Sequence, residues 1–143
     1  MFKSPCSKSH SAADTIQIAE NFAKSLKTGA VVCLTGDLGA GKTEFVRGMA
    51  IGLRALSAVA SPTFALLHVY DGAIPIYHFD VYRIDNLSEM EDAGYEDCFY
   101  GNGVTVIEWA EKIAPILPKD AVWVEIRKDL SVSEGYREII IVN

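Results

Sequence analysis

The sequence predicts an α/β fold of three layers, in which helices cover both faces of a central sheet that is mainly parallel and also carries antiparallel strands. Three observations predict it. An apolar run at Ala30–Thr35 leads through a glycine-rich loop directly into a helical pattern. A second run, Val104–Ile107, has the continuous apolar character of a strand that is covered on both faces. The last two strand patterns are joined by a polar turn too short for a parallel crossover, so they pair antiparallel.

The length and charge of the chain limit the functions open to it. Its 143 residues show no linker, repeat or low-complexity segment, and we expect residues 1–143 to form a single domain. Lys plus Arg total 13 and Asp plus Glu total 19, and the resulting net charge of −6 argues against direct binding to a nucleic-acid backbone. No run approaches the ~20 apolar residues of a membrane span, and the polar residues 1–10 do not form a signal peptide. Three widely spaced cysteines in no metal-binding pattern indicate free thiols in a reducing cytoplasm.

The first part of the chain predicts an arm, a helix and the first core strand. We expect residues 1–10 to be a loose arm. Ser11–Asp14 has the spacing of a capping box, and apolar residues then recur at the three- to four-residue spacing of an amphipathic helix. The strand Ala30–Thr35 follows, and after the glycine loop a second helix extends to about Arg54.

The middle of the chain predicts a loop and a β-hairpin. Pro62 has no backbone N–H and keeps its predecessor out of helical geometry, so Ser61–Phe64 is a loop. Strand patterns at Ala65–Tyr70 and Ile74–Phe79 flank an Asp-Gly turn signal. This favours a hairpin whose second strand begins after Pro75 or lies near an edge of the sheet.

The remaining elements alternate short helices with strands. Ser88–Glu91 has capping-box spacing and predicts a short acidic helix, whereas Tyr95–Tyr100 gives no clear signal. Ala110–Ala114 predicts a short helix that the following prolines end. The final strands are Ala121–Ile126 and Tyr136–Val142.

The glycine-rich loop carries the strongest local signal. Residues 36–43 read GDLGAGKT and match the phosphate-loop pattern G-x-x-x-x-G-K-[ST] at every fixed position, between a strand and a helix. Glycines let the backbone turn its N–H groups inward, and the helix N-terminus adds N–H groups and a positive dipole end. The Lys42 ammonium and the Thr43 hydroxyl suit the phosphates and Mg²⁺ of a nucleotide. The alternative is a glycine turn that binds nothing. The guanine-reading motif Asn-Lys-x-Asp is absent, which favours ATP over GTP.

Two acidic residues end predicted core strands. Asp80 follows His78–Phe79, and Glu108 follows Val104–Ile107. Because ligands of open α/β sheets bind at the carboxyl ends of strands, we expect both carboxylates in the nucleotide site. Either one would hold Mg²⁺ or position the attacking water, and the residues alone do not decide between them.

Three further residues have both a functional and a structural interpretation. Thr63, in the loop after the phosphate-loop helix, either senses Mg²⁺ and the γ-phosphate or belongs to a plain Ser-Pro-Thr turn. His78 faces the same way as Asp80, and it either orients that acid or is a hydrogen-bonded core histidine. Trp109 is a core aromatic, a lid or a partner contact.

Together these motifs resemble the TsaE family, once called YjeE, the bacterial P-loop ATPases of tRNA threonylcarbamoyladenosine biosynthesis. The resemblance depends on the order and spacing of four segments that span nearly the whole chain. They are residues 36–43, Ser61–Phe64, His78–Arg83 and Ile107–Trp109. The chain departs from the family at Glu44 and Ala65, where hydroxyl residues are common, and neither position touches a ligand.

The resemblance implies a role for each motif residue. Asp80 and Lys42 act in ATP hydrolysis, Thr43 and Glu108 hold Mg²⁺, and Trp109 lies near the site. The nucleotide-binding set is Asp37, Leu38, Gly39, Ala40, Gly41, Lys42, Thr43 and the switch-like Thr63.

The resemblance also implies a cytoplasmic, Mg²⁺-dependent ATPase that acts with TsaB and TsaD. Those partners install the threonylcarbamoyl group on adenosine 37 of tRNAs reading ANN codons, and ATP binding and hydrolysis would regulate or reset the partner complex, with tRNA contacted only indirectly. We expect slow turnover by the isolated protein, because the sequence shows no arginine finger. Two other classes stay open, a small-molecule or nucleoside kinase and a nucleotide-gated binding module that hardly hydrolyses ATP.

Overall fold

The computed structural model describes residues 6–37, 39–57, 59 and 66–142. Within them, seven strands form one sheet with helices on both faces. The strands are β1 (Cys6–Ser9), β2 (Val31–Thr35), β3 (Leu67–Tyr70), β4 (Ile76–Asp80), β5 (Val104–Glu108), β6 (Val122–Lys128) and β7 (Arg137–Val142). The helices are α1 (Ala12–Lys24), α2 (Lys42–Gly52), α3 (Ser88–Asp92) and α4 (Tyr95–Phe99), and a 3₁₀ segment spans Ala110–Ile116.

The centre of the sheet is parallel and its margins are antiparallel. The strand order is β1-β7-β6-β2-β5-β4-β3, and the four strands β6, β2, β5 and β4 pair parallel to one another. The hairpins β3–β4 and β6–β7 are antiparallel, as the sequence predicts. Because the central strands run in one direction, β2, β4 and β5 all end at the same edge, where ligands of such sheets bind.

Alternate residues of the central strands face two separate cores. Val32 and Leu34 of β2 face the core that α1 and α2 cover, whereas Val31 and Cys33 face the core formed with α3, α4 and the 3₁₀ segment. This follows from the two-residue period of a strand, and it explains why the first four residues of β2, Val31–Leu34, are all apolar. The predicted α/β class with three layers is therefore confirmed.

The two helices on the first face pack closely because of a glycine. A Cβ added at Gly48 would lie 2.2 Å from the carbonyl oxygen of Ile16 and 2.6 Å from the Cβ of Ala19. Only a residue without a side chain allows this approach of α2 to α1. The contact fixes the position of α2, and with it the end of α2 that begins at Lys42.

The predicted loose arm is corrected by the structure. Residues 6–9 form β1, which pairs antiparallel with β7 at one margin of the sheet. The strand is short and mostly polar, so its place depends on backbone pairing with β7 and leaves no periodic signal in the sequence. Residues 1–5 lie outside the described part of the chain.

One capping prediction is confirmed and the other is wrong. Ser11 caps α1, its Oγ accepting a hydrogen bond from the N–H of Asp14 at 3.1 Å. Ser88, in contrast, does not cap α3, whose N-cap position is Leu87 with no side-chain cap. The carboxylate of Glu89 instead binds the preceding loop, because its Oε2 accepts the N–H of Asp85 at 2.8 Å. This backbone hydrogen bond, with a second from the next residue, lowers the pKa of Glu89.

Several predicted boundaries also shift. Helix α2 ends at Gly52, two residues before the prediction, and Tyr95–Phe99, which gave no clear signal, is helical. The segment predicted as a helix over Ala110–Ala114 is a 3₁₀ segment that continues through Pro115. Among the helices that the structure describes, none is both long enough and apolar enough to cross a membrane.

Candidate functional site

The glycine loop of residues 36–43 connects the end of β2 to the start of α2, as its motif predicts. Gly36, Gly39 and Gly41 have φ angles of +149°, +76° and +109°, values that side chains rarely adopt. At Gly36 there is also no room, since a Cβ would lie 2.6 Å from the carbonyl oxygen of Ile126. The N–H of Ala40 donates to the carbonyl of Asp37 at 3.0 Å, which closes a tight turn. Leu38 lies outside the described residues.

Lys42 is the first residue of α2 and points back across the loop. Its side chain is buried, with the residue only 5% exposed, and its Nζ donates a hydrogen bond to the carbonyl oxygen of Gly36. Burial lowers the pKa of Lys42 below its ordinary value, while the carboxylates of Glu108, Glu111 and others oppose this effect. The ammonium therefore lies inside the cradle formed by the glycine loop. Thr43, the next residue, is half-buried at the same helix N-terminus.

Trp109 lies against this ammonium. The Nζ of Lys42 is 3.5 Å from the centroid of the indole ring, a cation–π contact. Trp109 has a left-handed φ of +63°, and its ring packs on Tyr82 with 4.7 Å between ring centroids. Trp109 also packs, partly buried, against the second core, so the structure agrees with a core aromatic that lies beside Lys42, the place that the resemblance implies.

Asp80 and Glu108 come together at the carboxyl edge of the sheet. They are paired residues of the parallel strands β4 and β5, so the prediction that both acids reach one place agrees with the geometry. Both carboxylates favour the charged form of Lys42 and so partly oppose the lowering of its pKa by burial. Their environments differ, because Glu108 is 2% exposed whereas Asp80 is half-buried and accepts the N–H of Tyr82 at 3.0 Å.

The buried Glu108 belongs to a chain of three side chains on neighbouring strands. The Nε2 of His78 lies 2.6 Å from Glu108 Oε2, and the Nδ1 of the same ring lies 3.0 Å from the hydroxyl oxygen of Tyr70. All three are buried. His78 is thus a buried, hydrogen-bonded histidine, the second of its two interpretations, and the carboxylate that it contacts is Glu108, not Asp80.

No motif or pattern in the sequence singles out Tyr70. It lies on β3, and its contact with His78 follows from the antiparallel pairing of β3 with β4, in which Tyr70 lies opposite Ile76. The contact depends on the register between β3 and β4, which no local sequence pattern predicts. Thr63, the predicted switch-like residue, lies outside the described part of the chain.

The assembled groups suit a polyanion and a hard cation. A helix N-terminus and loop amides attract negative charge, and Lys42 adds a full positive charge beside them. A hydroxyl at Thr43 and the carboxylates at the strand ends are oxygen ligands of the kind that Mg²⁺ prefers. No group of three or more His, Cys, Asp or Glu side chains forms a metal site by itself within the described ranges. Magnesium ions in proteins usually bind one or two carboxylates and take water molecules and substrate phosphate oxygens as their other ligands.

Comparison with known proteins gives one consistent family. The family model described as threonylcarbamoyl adenosine biosynthesis protein TsaE matches residues 9–138. A protein of Treponema pallidum (strain Nichols), named tRNA threonylcarbamoyladenosine biosynthesis protein TsaE, is 44% identical over 133 residues, which are 93% of this chain and 96% of that protein. The protein of the same name from Bacillus subtilis (strain 168) is 44% identical over 116 residues, 80% of this chain and 72% of that protein.

A solved structure agrees with this result. The crystal structure of Bacillus subtilis YdiB superposes with a TM-score of 0.78 at 34% sequence identity, covering 99% of this chain and 86% of that one. The likeness extends over nearly all of the sheet and both helical layers, consistent with a P-loop NTPase-like fold.

Proposed function

The chain belongs to the TsaE family of threonylcarbamoyl adenosine biosynthesis proteins, and on this premise we propose that it is a Mg²⁺-dependent ATPase. The observation that carries the proposal is the position of Lys42. Its ammonium is buried inside a loop of left-handed glycines, at a helix N-terminus and beside two strand-end carboxylates. A buried ammonium needs polar or charged partners. The Gly36 carbonyl and the nearby carboxylates supply some of them, and a triphosphate at the helix N-terminus would add a stronger one.

In this proposal the glycine loop and Lys42 bind the phosphates of ATP. The backbone N–H groups of the loop would donate to phosphate oxygens, and the Lys42 ammonium would exchange its carbonyl partner at Gly36 for the β- and γ-phosphates. The positive φ angles at Gly39 and Gly41 support this role, because only glycine adopts them readily and they let the backbone of the loop turn tightly. The proposed nucleotide-binding residues are Asp37, Leu38, Gly39, Ala40, Gly41, Lys42, Thr43 and Thr63.

Thr43 and Glu108 are the proposed magnesium ligands, and Asp80 the proposed group that acts on the attacking water. When bound, Mg²⁺ supplies positive charge that stabilises the charge developing on the transferred phosphoryl group. The contact of Glu108 with His78 supports its assignment to the metal, since metal-ligating groups are commonly oriented by a hydrogen-bonded neighbour. The partial exposure of Asp80 supports a contact with water.

The cellular role that we propose is regulation of a TsaB–TsaD-like complex. That complex would modify adenosine 37 of tRNAs reading ANN codons, and ATP binding and hydrolysis by this chain would regulate or reset it. The net charge of −6 supports an indirect relation to tRNA. We propose a cytoplasmic location, where tRNA is modified, and slow hydrolysis by the isolated protein.

Calorimetric titration of the protein with ATP and Mg²⁺, followed by a phosphate-release assay, tests the proposal. We expect binding that requires Mg²⁺ for full affinity and release of phosphate that increases when TsaB and TsaD are added. Co-purification with those partners should be stronger with ATP than without it. Absence of ATP binding would overturn the proposal, and transfer of the γ-phosphate to an added small molecule would show a kinase instead.

A further inference from the structure

Arg137 donates hydrogen bonds to two consecutive carbonyls of the glycine loop. The Nε of this first residue of β7 donates to the carbonyl oxygen of Ala40 at 2.7 Å, and its Nη2 donates to that of Gly39 at 3.2 Å. Nearly 100 residues of sequence separate the partners, so the contact joins the end of the fold to its glycine loop. None of the sequence motifs includes this arginine.

The two contacts fix the orientation of consecutive peptide groups. A trans peptide is planar, and its C=O and N–H point in opposite directions. The carbonyl of Ala40 points at Arg137, so the N–H of Gly41 points away from the guanidinium. The peptide between Gly39 and Ala40 is held at both ends, because its carbonyl accepts from Arg137 while its N–H donates to Asp37 at 3.0 Å.

The guanidinium is itself held in place. Its Nη1 donates to the carbonyls of Glu134 and Tyr136 at 2.8 and 2.7 Å, both in the turn that leads into β7. Arg137 also lies opposite Ser9 of β1 and Lys128 of β6, so strands flank it on both sides. A planar fork that is fixed in this way loses little conformational entropy when it binds two adjacent carbonyls.

The charge of Arg137 also acts on the loop. Its described partners are backbone carbonyls, and no carboxylate among the described residues forms a salt bridge with it. The guanidinium therefore has no salt-bridge partner among the described residues, and its positive charge favours an anion at the loop.

We propose that Arg137 is a positioning residue for nucleotide binding: it sets the amides of residues 39–41 toward the phosphates without touching the nucleotide itself. This inference depends on the proposed binding of ATP to the glycine loop. If Arg137 already holds the loop in its binding conformation, ATP binding does not have to pay for ordering the loop. Loss of the arginine should therefore weaken the binding of ATP more than it slows the hydrolysis of bound ATP.

The experiment compares R137Q and R137K with the control R127Q. Arg127 is an exposed arginine on β6 that pairs with Glu125, so its loss removes the same charge without a contact to the loop. Calorimetry gives the Kd of ATP with Mg²⁺, steady-state kinetics separate KM from kcat, and amide chemical shifts report on residues 39–41 without nucleotide.

For R137Q we expect the Kd and KM of ATP to rise about tenfold or more, since two charge-assisted hydrogen bonds are lost. The kcat should stay within about twofold, and the amide signals of Gly39 and Gly41 should shift in the nucleotide-free protein. R137K keeps the positive charge but lacks the planar guanidinium that binds two carbonyls at once. Its Kd and KM for ATP should therefore lie between those of R137Q and the wild type. R127Q should match the wild type.

The outcomes separate this inference from the proposed function. If the wild-type protein does not bind ATP, the proposed function fails and this inference fails with it. If the wild type binds and R137Q binds as tightly, with unshifted loop amides, only the role of Arg137 is overturned. Should R137Q fail to fold, an R137K protein with wild-type Kd and unshifted amides would overturn it equally.

Discussion

Asp80 and Glu108 are partners in the parallel pairing of β4 with β5, so two carboxylates start from adjacent backbone positions at one edge of the sheet. Neighbouring strands lie about 4.8 Å apart. Glu108 is buried against His78, whereas Asp80 is half-buried and its carboxylate accepts the N–H of Tyr82 in the following turn. A carboxylate with a fixed buried partner suits a metal ligand, and a more exposed one suits contact with water.

We predict that Asp80→Ala leaves ATP binding largely intact but lowers the rate of hydrolysis by about 10²-fold or more, because the group proposed to act on water is lost. Calorimetry and a phosphate-release assay measure the two effects separately. Asp71→Ala, at an exposed aspartate in the β3–β4 turn, is the control and should change neither. A variant of Asp80 that no longer binds ATP would contradict this division of roles.

We predict that His78→Ala destabilises the protein by about 3–5 kcal/mol, because it leaves the buried Glu108 carboxylate without its partner. Denaturant unfolding without nucleotide measures the change. The control is the same substitution in a Glu108→Ala background, where no carboxylate remains and the loss should be clearly smaller. Equal losses in both backgrounds would show that the pair contributes little to stability.

The parts of the site that the sequence predicts are those encoded locally. The glycine loop is a continuous motif, so its geometry follows from residues 36–43 and their flanking strand and helix. Asp80 and Glu108 were also predictable, since strand ends and the rule for ligand sites in α/β sheets place them at one edge. Their different environments were not predictable from the residues alone, because burial and hydrogen-bond partners depend on the whole fold.

The parts that the sequence does not predict are encoded by contacts across the sheet. β1 pairs through its backbone and has no apolar pattern, and Tyr70 reaches His78 only through the register of β3 on β4. Arg137 contacts Ala40 because β7 returns beside β6 to the edge where the loop lies. Each of these three contacts joins two segments that are separate in the sequence, so the pattern of either segment alone does not predict it.

We predict that Lys42→Ala abolishes measurable ATP binding, since it removes the only full positive charge that the described structure places inside the glycine loop. Calorimetry with ATP and Mg²⁺ measures this. Lys24→Ala is the matched control, because Lys24 is an exposed lysine at the end of α1 that pairs with Glu20. If the Lys42 variant bound ATP as the wild type does, the nucleotide would have to bind somewhere other than the loop.

We predict that Cys33 resists alkylation in the native protein. Burial, with a smaller effect from Glu111, raises the pKa of Cys33 from 9.0 to about 12, so almost no thiolate exists at neutral pH. At about pH 8, iodoacetamide should label Cys6, which is exposed, and should reach Cys33 and Cys98 only after unfolding. Rapid native labelling of Cys33, read by mass spectrometry, would contradict the burial.

The same shift predicts a loss of stability at high pH. The folded chain keeps the proton of Cys33 up to about pH 12, whereas the unfolded chain releases it near pH 9. The stability that Cys33 contributes through its raised pKa is therefore fully present below about pH 9, and it decreases as the pH rises from 9 toward 12. Compared with the wild type, Cys33→Ala should show a smaller decrease over this range in denaturant unfolding, and Cys6→Ala should show the same decrease as the wild type.

We predict that Gly48→Ala destabilises the protein by about 1–3 kcal/mol, although alanine is the better helix former by about 1 kcal/mol. The added methyl would lie 2.2 Å from the carbonyl oxygen of Ile16, and backbone atoms cannot move away as a flexible side chain can. α1 and α2 must therefore separate, and α2 carries Lys42 at its first position, so ATP binding should weaken together with stability. Arg47→Ala, one residue away on the same helix, removes a side chain that is 42% exposed and should have little effect on either. Denaturant unfolding and calorimetry on both variants measure the two effects, and an unchanged or raised stability for Gly48→Ala would show that the helices do not pack this closely.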